Sequence, residues 1–251
     1  MKLPACIFLL LVMTPLTLFA QSTTETPVNF AVWGGYDGNL PFNETSAWRL
    51  RLSGTLKRNN GIVDPQADLL EPGIGYAFKH SKEIAGGYGV QYNIPYDSAS
   101  LPYRWVENRI WEEARFKFKW SGDKTFKQGF EVQERWLARK DPPDYDGVAR
   151  WEFEITFIYT IGFERPLVSN VHFVIENELH LRVVPTDEKR IDQNRFFVGV
   201  SIPLDKERRN TVELGYMLQT VRNSSETAPG LKRVNNTLRV TFISDSPLHF
   251  K

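Results

Sequence analysis

Two pairs of acids spaced by two residues, Glu152 with Glu154 and Glu176 with Glu178, are the first candidates for chemistry in this chain. A carboxylate pair can divide general acid and general base work. A spacing of two, however, sets both members side by side on one face of a strand, where they make a ladder for facing arginines. His172 and His180 fall on that same face and complete a donor set that would suit a metal ion. Eight residues of strand separate the two histidines by roughly 25 Å, so they cannot share an ion, and no metal site is expected. His80 and Ser81 in "KHS" are the one adjacent pair of the kind that barrel lipid esterases use at a membrane surface. They sit in a short polar connection, so no catalytic residue is assigned. The chain is read as a non-enzyme with no cofactor, and a lipid esterase or deacylase is kept as an alternative.

What must position these residues is a set of strands. "RWEFEITFIYTIGFE" alternates Trp151, Phe153, Ile155, Phe157, Tyr159, Ile161 and Phe163 with Arg150, Glu152, Glu154, Thr156, Ile158 and Thr160. Almost every segment after Asn29 has the same period of two, and none has a sustained helical period. One face of these segments carries Arg49, Arg51, Glu71, Glu107, Arg109, Glu113 and Arg115 in the first half. It continues with Glu131, Arg135, Arg150, Glu152, Glu154, Glu176, Glu178, Arg182, Arg195, Glu213 and Arg239. The opposite face is rich in Trp, Phe, Tyr, Leu, Ile and Val. Short links such as "SGDK" alternate with longer ones such as "KDPPDYDG", which puts turns on one rim of a barrel and loops on the other.

Which face meets water decides the class. In a soluble barrel the aromatic face would fill the interior, and a barrel of this size has room mainly for packed side chains or one small ligand. So many large rings would overfill it, whereas a wall facing lipid has no volume limit. Many segments also reach ten residues, the length that crosses a bilayer at a tilt. Aromatics such as Trp48, Trp120, Trp136, Trp151 and Phe163 lie toward segment ends, where an interfacial girdle belongs. The charged face is therefore assigned to the lumen as an ion-paired network, and Trp151, Phe153, Ile155, Phe157 and Tyr159 to lipid.

The first residues, "MKLPACIFLLLVMTPLTLFAQS", have the layout of a secretory signal peptide, residues 1–20, followed by one barrel domain, residues 21–251. The only cysteine, Cys6, belongs to this leader, which fits a bacterial envelope better than an animal secretory route. With 31 Lys plus Arg against 30 Asp plus Glu, bulk charge gives no case for a nucleic-acid partner. The sequons at Asn43, Asn223 and Asn235 read as polar connections rather than glycan sites. Gly73, Gly75, Gly86, Gly87 and Gly89 mark either a bend or a free space in the lumen.

The leader together with "VWGGY", "ENRIWEEARF", "DQNRFFVGVSI", "VELGYMLQ" and "NNTLRVTF" resembles the bacterial family called domain of unknown function 2490, taken to be outer-membrane β-barrels. The likeness covers nearly the whole mature chain. It implies a barrel and a location, and brings no catalytic residues. One departure is the end, where "SDSPLHFK" follows the last strand instead of a terminal aromatic. The expected architecture is an all-β, antiparallel up-and-down transmembrane barrel of about 10–12 strands, even in number by the bacterial rule. The expected place is the outer membrane of a Gram-negative cell. The expected role is structural or porin-like, a narrow and largely plugged channel, with membrane lipid and the assembly machinery as partners and a monomeric state. A soluble periplasmic carrier of an apolar ligand is the other alternative. The Gly-rich stretch from 73 to 89 is the expected place for any water path.

Overall fold

A computed structural model describes residues 28–60, 62–78, 81–94, 104–120, 124–139, 150–168, 170–184, 191–222 and 232–248. The leader, His80 and Phe250 lie outside the described residues. Eleven strands follow one another: β1 (Val28–Pro41), β2 (Trp48–Asn59), β3 (Asp64–Phe78), β4 (Lys82–Asn93), β5 (Trp105–Lys119) and β6 (Thr125–Arg139), then β7 (Arg150–Val168), β8 (Val171–Val184), β9 (Ile191–Pro203), β10 (Asn210–Arg222) and β11 (Lys232–Ser244). Their alternation of apolar and polar residues has the period of a pleated strand, and the apolar half is dominated by the aromatic and branched residues that pack best on a pleat.

Each strand pairs antiparallel with the next, and β1 then closes the barrel on β11. That closing pair is parallel, running from Val28 opposite Val234 to Gly38 opposite Ser244. The reason is arithmetic: in an up-and-down wall with an odd number of strands, the first and last point the same way. The expected even number is corrected here, because "NFAVWGGY" is a full member of the wall, which closes with eleven strands among the described residues. The chain consequently enters the barrel at the rim of the longer connections and leaves it at the rim of the short turns.

A twelve-residue strand such as β2, at ~3.3 Å per residue and a tilt of ~40°, rises roughly 30 Å, the thickness of a bilayer's hydrocarbon core. The ladders depart from regularity at few places. Pro72 has no N–H to give, and the β3–β4 pairing is interrupted between Leu70 opposite Val90 and Gly73 opposite Gly87. Register shifts lie at Lys57/Arg58, Ile155/Thr156, Pro166/Val168 and His180/Leu181.

The outward face is apolar on every strand. Phe30, Leu56, Ile74, Tyr92, Ile110, Val132, Phe153, Val183, Phe196, Leu214 and Leu238, one from each strand in order, are all exposed. Trp151 is 58% and Phe153 42% exposed. Ile155, Phe157 and Tyr159 are half-buried on the same face, where Phe130 lies 6.3 Å from Phe157 and 5.1 Å from Tyr159, ring to ring. Three polar pairs on this outer surface satisfy one another. The Tyr88 hydroxyl donates to Asn108 at 2.5 Å, the Gln128 amide to the Tyr159 oxygen at 2.8 Å, and the Tyr216 hydroxyl to Asn236. Glu112 and Glu134 are exceptions: both are exposed on outward positions of β5 and β6, which an apolar reading of that face passes over.

The short-turn rim is tied together. In the turn before β10 the Asp205 carboxylate accepts the backbone N–H groups of Arg209 and Asn210, at 2.9 and 2.7 Å. The Arg209 guanidinium makes two bonds to Glu44 in the β1–β2 turn, at 2.9 and 3.0 Å. Past β11 the chain crosses the seam, where the Asp245 and Leu248 N–H groups donate to the Arg209 and Pro41 carbonyls.

The barrel interior as candidate functional site

Side chains on the inward positions of the strands meet in the middle of the barrel and form three groups of charges. Toward the short-turn rim Arg51, only 3% exposed, reaches Asp37 at 3.3 Å, Glu113 at 3.6 Å and Glu83 at 3.8 Å. Arg115 completes this group by holding Glu113 and, at 3.4 Å, Asp37. Strand β2 is thereby joined to β4 and β5, and β5 to β1, across the lumen between strands that do not pair in the sheet.

The second group centres on Glu107, 1% exposed. Its carboxylate accepts from Arg109 at 2.5 Å and from Nε and Nη2 of Arg135 at 2.7 and 2.8 Å. Arg135 continues to Glu154 at 3.3 Å, and Arg109 to Glu71 at 3.3 Å and Gln91 at 2.9 Å. Arg182 extends the chain of contacts to Glu154 at 3.6 Å and Asp192 at 2.7 Å. Buried arginine fits this work because its planar fork engages two carboxylates at once and never loses its charge.

The third group crosses from β11 to β8 and β10: Arg239 pairs with Glu176 at 3.1 Å and Glu213 at 3.3 Å while stacking 3.6 Å over the Phe197 ring. Nearby Arg195 and His180 both bind Glu178 at 2.5 Å, and Glu164 gathers Lys127, His172 and Arg208. The two histidines thus belong to separate groups. Among the described residues no cluster of three or more His, Cys, Asp or Glu is arranged to hold a metal.

Several candidates stand apart from these groups. Arg49 makes no ion pair with the described residues, Glu152 is exposed at the rim, and the side chain of Arg150 lies outside the described residues. Glu131 faces Glu113 directly across the β5–β6 ladder, and its bonding partner is the Gln133 amide at 2.5 Å. Asp37, Glu83, Glu164 and Asp192 belong to the groups although the sequence reading did not name them. Counting the alternation one strand end further would have reached the first three, but Asp192 shares the parity of outward Phe196 and joins its group where the β8–β9 register shifts at His180/Leu181.

Rings and sulfur also sit inside. Ala31, Trp33, Val174, Phe197 and Met217 form a buried apolar cluster, and Trp111 lies against the opposite wall. Two cross-strand glycine pairs make room for the rings. A Cβ on Gly87 would lie 2.2 Å from the Pro72 carbonyl and 2.7 Å from the Trp111 ring, and one on Gly215 2.3 Å from the Val198 carbonyl and 2.7 Å from the Phe197 ring. An aromatic laid across a glycine pair restores the contacts the glycines lack. The expected water path at residues 73 to 89 is corrected by this packing, since Trp111 covers Gly73 and Gly87, and Arg109 covers Gly89.

The space that remains lies elsewhere. A cavity of about 210 Å³ runs between Trp33, Asp37, Arg195, Phe197, Met217 and Arg239. A second of about 30 Å³ lies beside Trp111, Glu113 and Glu131, and Ser53 and Arg115 border both.

The family model described as "Protein of unknown function (DUF2490)" matches residues 30–228, from β1 to the link before β11. The chain belongs to the DUF2490 family. No curated protein and no solved structure matches it. Membership adds no assigned reaction, so the DUF2490 barrel must be read from its own interior and exterior.

Proposed function

We propose that this DUF2490 chain is an outer-membrane β-barrel of a Gram-negative bacterium, exported by its leader, with a structural role or a narrow, largely closed channel. One observation carries the reading: each strand exposes apolar residues outward, the outward Asn108, Gln128 and Asn236 side chains are bonded to tyrosine hydroxyls, and most charged side chains of the strands, though not Glu112 and Glu134, are inside. In water an apolar surface of that extent would drive association, whereas in lipid it is the required surface of a closed sheet. The interior supports a closed lumen, because arginines and carboxylates from opposite walls bond across it. A carrier of apolar ligands would want the reverse arrangement.

Membrane fractionation followed by comparison of unboiled and boiled samples on a gel tests the location. The chain should pellet with outer membranes and migrate faster before boiling. Release into the soluble periplasmic fraction would end the proposal.

A further inference from the structure

We infer that the larger interior cavity is a binding site for a small organic monoanion, a carboxylate attached to a compact apolar body. The cavity is short of acceptors, not donors. Trp33 is 5% exposed, borders the cavity, and its buried indole N–H has no acceptor among the described residues. The Nε–H of Arg239, another wall residue, is also buried without an acceptor among the described residues, while its two Nη atoms are held by Glu176 and Glu213. A buried donor without an acceptor is costly, and a ligand oxygen removes that cost. The wall carboxylates Asp37, Glu176 and Glu178 are already bound to arginines, so a cationic ligand would find no free anion.

Arg115, Arg195 and Arg239 hold Asp37, Glu176 and Glu178 on the wall, and Arg115 and Arg239 also hold Glu113 and Glu213. Lys57 makes no ion pair with the described residues, and its Nζ lies 4.4 Å from the Trp33 ring centroid. Arg195 lies 5.2 Å over the same ring. Glu131, whose bonding partner is the Gln133 amide, borders the smaller cavity and not this one. Phe197 and Met217 supply the apolar side of the site. A cavity of ~150 Å³ accommodates benzene, so about 210 Å³ accommodates benzoate.

The inference concerns the same interior as the proposed function, yet the assay needs no bilayer, so either can fail alone. Purified full-length protein in detergent micelles is titrated calorimetrically with benzoate, benzyl alcohol and benzylamine. Benzoate should bind one to one, benzyl alcohol at least tenfold more weakly, and benzylamine not at all. Trp33→Phe keeps the ring and removes the N–H, and should weaken benzoate roughly tenfold; Lys57→Met should weaken it as well. Both variants must retain the heat-dependent gel shift. If Trp33→Phe loses it, the contrast between benzoate and the alcohol on the unmodified chain decides. No benzoate binding at millimolar concentration, equal binding of the alcohol, or full affinity in a folded Trp33→Phe variant would overturn the site.

Discussion

Replacing Glu107 by Gln tests whether the interior charges hold the barrel together. The carboxylate is 1% exposed and takes three N–H groups from two arginines, at 2.5, 2.7 and 2.8 Å. A bond to a charged group contributes ~1.5–3 kcal/mol and a neutral one ~0.5–1.5 kcal/mol, so losing the charge costs about 1 kcal/mol per bond. Two bonds weaken and the third is lost, because the Gln nitrogen that replaces one carboxylate oxygen is a donor and faces an arginine donor; together they make ~3 kcal/mol. Arg135 keeps Glu154 and Arg109 keeps Glu71, both at 3.3 Å, which trims the expected loss to about 2–3 kcal/mol. Urea unfolding in lipid vesicles, followed by tryptophan fluorescence and by gel mobility, measures it. Adding Arg135→Gln should cost less than the sum of the two single changes, with a coupling of at least ~1 kcal/mol. A loss within about 0.5 kcal/mol of zero for Glu107→Gln, with the fold intact, would refute the reasoning: the pairs would then decorate a wall held by its ladders alone.

In planar bilayers the unmodified protein should be silent or show only small flickering events, and Arg115→Ala should enlarge them, because Arg115 is part of the partition between the two cavities. Large stable steps from the unmodified chain would contradict a closed lumen. Glu112→Leu and Glu134→Leu should each stabilise the barrel in vesicles by about 1–2 kcal/mol, since an outward carboxylate in hydrocarbon is penalised; no gain in urea titrations would mean that these positions do not meet lipid. Gly87→Ala should abolish the heat-dependent gel shift, as the new methyl would sit 2.2 Å from the Pro72 carbonyl, and recovery of a normal barrel would show that β3 and β4 can separate there. At the short-turn rim, desolvation raises the Asp205 pKa, but the N–H bonds from Arg209 and Asn210 together outweigh it and hold the group below the ordinary 3.8. A depressed acid stabilises above its unfolded pKa and loses that contribution as pH falls through the folded value. Exchange of the Asn210 amide should therefore gain protection above about pH 4 in the unmodified chain and lose that dependence in Asp205→Asn.

The alternation in "RWEFEITFIYTIGFE" was enough to specify a strand, its two faces and, by repetition along the chain, a wall. Period is a local property, and a strand's faces follow from the pleat without reference to any neighbour. For the same reason the inward position of Arg109, Glu113 or Arg239 was legible before any partner was known. Outward Glu112 and Glu134 were equally legible by parity, but a reading that seeks an apolar face passes over the residues that break it.

Partners were not legible, because they depend on which strands face one another across the lumen. Arg51 meets Glu113, and Arg239 meets Glu176, from strands that are not neighbours in the sheet. Those contacts depend on closure, and closure depends on a strand count that local pattern leaves uncertain by one. An odd count makes β1 pair with β11 in parallel and decides the rim from which each terminus leaves. The glycines of residues 73–89 illustrate the same divide. Their small size is written in the chain, but whether the space beside them stays open depends on Trp111, which reaches it from the adjacent strand β5.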